Sequence, residues 1–120
     1  MQGICVSVPT DDGKIVKLGH FGDAKYYYHY AKGADGKWIL KRIVGNPYAG
    51  QHEHGDSEEE STKRPRIYEL NKDCICIVAT AFGPGGQQFM ERRGLQVVKV
   101  KPRTTIEEAL SLINEFCTQA

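Results

Sequence analysis

The chain has almost no charge imbalance: 16 basic and 15 acidic side chains leave a formal net charge of +1. This argues against a nucleic-acid partner, because a broad footprint on a phosphate backbone needs clustered positive charge. No apolar run approaches the ~18 residues that a membrane span requires. The start, Met1-Gln2-Gly3-Ile4, lacks the basic segment of a secretory signal. Four cysteines in 120 residues fall short of a secreted disulfide scaffold, so a reducing cytoplasm is the expected setting. No internal repeat is present. This length suits one domain, residues 1–120, around one core.

Several catalytic signatures are missing as well. Gly83-Pro84-Gly85-Gly86 is not a Walker loop, since no Gly-Lys-Ser/Thr follows. It is not G-x-G-x-x-G either, because position 88 is Gln88, and Arg103 stands where the acid for a ribose contact would be. No Ser or Cys nucleophile sits in an elbow, which disfavours a small hydrolase. The apolar runs 4–8 and 74–82 hold no carboxylate, so they cannot supply the metal-binding acids of a nuclease.

What is present centres on Cys74 to Gly94. Residues 74–82 are apolar apart from Thr80, as in a strand covered on both faces. The glycine turn follows, with Pro84 suited to a first helical turn. Phe89 and Met90 give that helix an apolar side, and Gly94 supplies its stop. The expected unit is strand, glycine turn, helix, with backbone N–H groups aimed at small anions.

Ahead of it, residues 4–8 read as a strand ended by Pro9, and 14–18 as at best a short edge segment. Residues 25–32 and 37–44 form a hairpin around Asp35-Gly36. Residues 45–62 lack periodicity and end in the run Glu58-Glu59-Glu60, as a long loop would. A helix is expected from Ser61 or Thr62, with Pro65 in its first turn, Ile67 and Leu70 inward and Asn71 at its stop. Residues 95–100 form a further strand. Thr104 and Thr105, each followed three residues later by Glu107 and Glu108, carry a doubled capping-box signal. Ile106, Leu110, Ile113 and Cys117 mark the inner face of the last helix. The order implies an α/β domain with a mixed sheet of about five strands flanked by helices, its last strands parallel.

Among chemistry-bearing residues, Cys5, Cys76 and Cys117 read as packing thiols. Cys74-x-Cys76 would place both sulfurs on one strand face, with Cys74 at the strand entrance. His52-x-His54 lies in the long loop and His20 in a loop between glycines, and imidazole is a common ligand for iron and zinc. His29 and the tyrosines 26, 27, 28 and 30 read as structural, the tyrosines partly exposed.

In order and spacing these residues resemble the dinitrogenase iron–molybdenum cofactor biosynthesis domain family, which includes NifX- and NafY-like carriers, the C-terminal part of NifB and small stand-alone prokaryotic proteins. The resemblance covers most of the chain. It rests on His20-Phe21-Gly22-Asp23-Ala24, Asn46-Pro47, His54-Gly55, Asp73-Cys74, Gly83-Pro84-Gly85-Gly86, Arg93-Gly94-Leu95-Gln96-Val97 and Thr105-Ile106-Glu107-Glu108-Ala109. It implies a ribonuclease H-like fold without nuclease chemistry. It also implies non-catalytic binding or carriage of an iron–sulfur or iron–molybdenum-type cluster, exchanged with donor or acceptor proteins. The Cys-x3-Cys-x2-Cys segment of a radical enzyme is absent. On this reading His20, His52, His54, Gly83, Gly85 and Gly86 bind the cluster, with His20, His54 and Cys74 as metal ligands. The alternatives are a metal-free interaction module that docks through the acidic loop and a small anion-binding protein.

Overall fold

The structure is a computed structural model that describes residues 5–49, 57–83 and 85–116, without the side chains of 57–62 and 114–116. Its mixed sheet has strands β1 (Cys5–Thr10), β2 (Tyr26–Lys32), β3 (Trp38–Gly45), β4 (Cys76–Ala79) and β5 (Gln96–Lys99). Three helices join them: α1 (Ser57–Asn71), α2 (Gly86–Arg92) and α3 (Ile106–Phe116). The strand order is β3-β2-β1-β4-β5. β2 pairs antiparallel with both neighbours, whereas β1–β4 and β4–β5 are parallel, so β2 alone runs against the rest. The expected parallel β-α-β unit is therefore present as β4-α2-β5.

Alternation along the strands separates two cores. Val6, Val8, Cys76 and Val78 face Ile106, Ala109, Leu110 and Ile113 of α3. On the other face, Tyr27, Ile77 and Ala79 pack with Phe21, Ile67 of α1 and Met90 of α2. All four residues of β4 are buried, as a strand covered on both sides requires.

Local signals explain most element ends. Thr105 and Glu108 close a reciprocal capping box, each backbone N–H donating to the other's side chain at 2.9 and 3.1 Å. Thr104 instead donates to the Lys101 carbonyl, so one of the two expected boxes forms. Gly94, at φ 91°, ends α2 as expected. The hairpin carries a register shift between His29 and Tyr30, where Lys41 is the extra residue.

Four expectations need correction. β1 runs through Pro9 to Thr10, because pairing with β4 is confined to Val6 and Ser7 and a missing N–H beyond them costs little. Residues 14–18 contribute isolated bridges, Thr10 to Val16 and Ile15 to Thr105. α1 starts at Ser57, so Pro65 is interior and 57–60 are helical. Acidic residue types suit a first turn, so the run read as loop opens the helix. Finally, Tyr27 is fully buried, not partly exposed. Residues 50–56 of the expected loop, Pro84 and Cys117 lie outside the described residues. No described helix is long and apolar enough to cross a membrane.

Candidate functional site

Beyond Ala79 the chain leaves the sheet through Thr80 and Ala81, and there it meets the His20 loop. Ala81 makes a parallel bridge to His20, and its carbonyl accepts the N–H of Phe21 at 3.0 Å. The Thr80 hydroxyl accepts the Gly19 N–H at 3.1 Å and donates to the Lys17 carbonyl at 2.8 Å. The loop is thereby stitched to the C-terminal end of β4.

The other flank is fixed from β2 and the end of the hairpin. Phe21 is buried, its ring 5.0 Å from that of Tyr27. The Tyr27 hydroxyl donates to the Phe21 carbonyl at 2.7 Å. The Asn46 amide donates to the carbonyls of Gly22 at 3.0 Å and Ala24 at 2.8 Å, and its oxygen accepts the Tyr48 N–H at 3.0 Å. Asn46 and Tyr27 therefore hold the loop in place through its carbonyls. No local signal marks Tyr27 for this, because its partner is set by the fold; Asn46 enters the sequence reading only through the resemblance.

Charge gathers around the same loop. One Asp23 oxygen accepts from Lys63 Nζ at 2.7 Å, and the other lies 3.9 Å from His20 Nδ1. The His20 side chain remains 55% exposed, so its imidazole can reach a ligand. A Cβ placed on Gly83 would stand 3.6 Å from His20 Nδ1. The imidazole thus lies against the glycine turn. Gly85 has φ 77°, and a Cβ there would come within 3.1 Å of Arg64 Nη2. A Cβ on Gly86 would come within 3.3 Å of the Phe82 ring. Gly85 and Gly86 therefore let Arg64 and Phe82 approach the turn closely. Sequence reasoning missed Arg64; its place just before Pro65 in a helix reveals nothing about what faces the guanidinium.

The structure brings together His20, Gly83 and Gly85 from the expected set, and adds Arg64 and Lys63. An exposed imidazole against the Gly83 turn and a guanidinium at Gly85 make a surface suited to an anion, while Lys63 is engaged by Asp23. Gly86 differs from expectation: its N–H donates to the Gly83 carbonyl at 3.0 Å, so that donor closes the turn itself. His52 and His54 lie outside the described residues.

Cys74 does not join this site. It is bridged to Cys5, with Cα atoms 4.5 Å apart, at the opposite end of β4. From Cys74 to Ala81 is on the order of 20 Å of extended chain. Neither Cys5 nor Cys74 is thus a simple packing thiol. Cys74 and Cys76 also face opposite sides, because β4 starts only at Cys76 and strict alternation does not extend back to Cys74.

Comparison with known proteins agrees with this architecture. Residues 2–115 match the model of the family described as dinitrogenase iron-molybdenum cofactor. Protein NifY of Klebsiella pneumoniae is 26% identical over 107 residues, covering 88% of this chain and 42% of that protein. The FeMo cofactor biosynthesis protein NifB of Frankia alni is 26% identical over 99 residues, covering 81% of this chain and 18% of that protein. The chain thus spans less than half the length of these curated relatives. Among solved structures, the apo form of the orange protein from Desulfovibrio gigas has a TM-score of 0.69 at 14% identity, over 96% of this chain and 91% of that one. An NMR structure of a Thermotoga protein named for NifB has a TM-score of 0.64 at 21% identity, over 97% of this chain and 90% of that one. These two likenesses concern the fold. From the extent of the family match, the chain is a member of the dinitrogenase iron-molybdenum cofactor family.

Proposed function

We propose that this domain binds and carries an iron–sulfur or iron–molybdenum-type cluster, or its precursor, as cargo and does not turn it over. The observation that carries this reading is the half-exposed His20 imidazole lying against the Gly83 turn, with Arg64 at Gly85. His20 would coordinate a metal of the cargo. Arg64 and the backbone N–H groups of Gly83 and Gly85 would offset its negative charge. His54, with His52 as a substitute, enters as a further ligand on sequence grounds alone.

Membership of the family supports the class of cargo, and the names NifY and NifB support donor or acceptor proteins of cofactor assembly as partners. A cytoplasmic setting and a ribonuclease H-like fold without nuclease chemistry belong to the same reading. The fold assignment is supported by the order β3-β2-β1-β4-β5 with β2 alone reversed.

The test is anaerobic titration of the full chain with isolated iron–molybdenum cofactor, and separately with ferrous iron and sulfide. Visible absorbance and metal content are read after desalting. Retained cluster in the parent and its loss in His20→Ala support carriage. A parent that retains no metal favours the metal-free interaction module.

A further inference from the structure

At the far end of the α1-side face stands a second group of donors that cargo binding at the glycine turn does not use. Cys5 opens β1, His29 stands in β2, and Cys74 lies between α1 and β4. Their two sulfurs and a ring nitrogen all lie within 4.8 Å of one another. The register explains the meeting. Ser7 pairs with His29 across the strands, and Cys5 lies two residues earlier on the same face. His29 is 1% exposed and Cys74 2%, while Cys5 is half-buried.

On its Nε2 side, His29 is held as a metal-bound imidazole is held, while Arg42 occupies Nδ1. Arg42 Nε donates to its Nδ1 at 3.2 Å, so Nδ1 carries a lone pair. Nε2–H is then the donor to Asn71 Oδ1, at 3.1 Å. Asn71 is itself fixed, accepting from the Ser7 hydroxyl and donating to the Ile67 carbonyl at 2.9 Å. A partner of this kind sets the tautomer and orientation of a ligating ring. Arg42 also reaches Asp73 at 3.3 Å, so it keeps a partner if it yields Nδ1 to a metal.

We propose that reduced Cys5 and Cys74, with His29 Nδ1, form a site for a single Zn2+-class ion, and that the disulfide is the closed, metal-free state of this site. Two sulfurs and an imidazole are the donors zinc prefers, with water completing four-coordination at the half-buried Cys5 side. Charge selects the same ion. Two thiolates and a neutral ring cancel a divalent charge, so a buried assembly carries none, whereas a monovalent ion leaves one negative charge to desolvate. A bulky cluster does not fit donors this deeply covered.

The chemistry balances. Opening the site breaks the S–S bond and adds two electrons and two protons, supplied by a dithiol that becomes a disulfide in turn. Metal binding releases both protons and leaves two thiolates.

The test uses one chain in two redox states. Phosphine-reduced and oxidised protein, each desalted anaerobically, are titrated with Co2+ and then Zn2+. The reduced form should take up one equivalent of Co2+ with thiolate-to-metal absorption that Zn2+ abolishes. The oxidised form should bind at least about 100-fold more weakly, since thiolates are the ligands. Cys5→Ser should lose the absorption, and His29→Ala should weaken binding about tenfold or more. Because the central comparison needs no substitution, misfolding of a variant cannot imitate it. Absence of uptake by the reduced form, or equal uptake in both states, overturns the proposal. So does a signal that disappears with His20→Ala but survives Cys5→Ser. The readout is a single ion, so failure of cluster carriage leaves it standing.

Discussion

The hydroxyl of Tyr27, buried in β2, donates to the carbonyl of Phe21 at 2.7 Å and thereby hangs the His20 loop from that strand. Tyr27→Phe removes that donor and leaves the Phe21 carbonyl with only the long bond from the Ala24 N–H, at 3.5 Å. A loss of about 1–3 kcal/mol is expected. Urea unfolding measures it, and amide exchange should quicken at Phe21 to Asp23 while β4 stays protected. Unchanged exchange in the loop would show that it is held some other way.

The same hydroxyl gives a pH signature. Burial, reinforced by the nearby Asp23 charge, pushes the Tyr27 phenol well above its ordinary value of 10.0. The unfolded chain therefore loses this proton at lower pH than the folded one. The contribution is fully present below pH 10 and is lost as pH rises above it. Comparing unfolding free energies at pH 8 and 11, Tyr27→Phe should show a shallower alkaline loss than the parent. Equal slopes would mean that the phenol ionises without unfolding the site.

Asn46 bears on the loop from the same flank, its amide 3.3 Å from the Tyr27 hydroxyl. Asn46→Ala removes its donors to Gly22 and Ala24 and the acceptor for Tyr48, with an expected cost of about 2–3 kcal/mol. Asn46→Asp should not rescue, because a carboxylate cannot donate to two carbonyls. A thermal melt on both variants decides this; full stability in Asn46→Asp would refute the donor role.

At the glycine turn, Gly85→Ala places a Cβ against Arg64 and forces a left-handed residue other than glycine. It should cost about 1–2 kcal/mol. His20→Ala and Arg64→Ala should leave the melt nearly unchanged and weaken retention of iron–molybdenum cofactor. Loss of stability without loss of retention in these two variants would assign them to the scaffold instead.

The disulfide closes a separation of 69 residues, for which the chain-entropy argument gives about 4 kcal/mol. Reduced protein with chelator present should therefore unfold at lower denaturant than oxidised protein, by about 2–4 kcal/mol. Cys76→Ala, a core truncation in β4, should cost about 1–3 kcal/mol in either state. Identical transitions for oxidised and reduced parent would mean that the bridge is not formed in solution.

What could be read beforehand was whatever neighbouring residues decide. The glycine turn between β4 and α2, the stop at Gly94, the capping box of Thr105 and Glu108 and the hairpin all rest on contacts a few residues apart. The errors lie where the deciding partner is remote. Cys5 looks like a packing thiol, and Cys74 like a ligand for the distant site, until the sheet order sets β1 beside β4. Tyr27 looks like any strand tyrosine until Phe21 folds over it. Arg64 belongs to the site only because α1 crosses the face below the glycine turn. The start of α1 failed for another reason: an acidic run without periodicity fits both a loop and a first helical turn.

The Cys5–Cys74 bridge divides the polypeptide into a covalent ring and a tail. The ring holds β1 to β3, α1, His20 and Arg64, while the tail holds β4, Gly83, Gly85 and everything after them. The candidate cargo surface is therefore assembled from one ring wall and one tail wall. A single protease cut between Val6 and Asp73 would leave one covalent molecule, which migrates whole on a gel until a reductant is added. Reduction would then split it into two pieces, with His20 and Gly83 on separate fragments wherever the cut falls after His20.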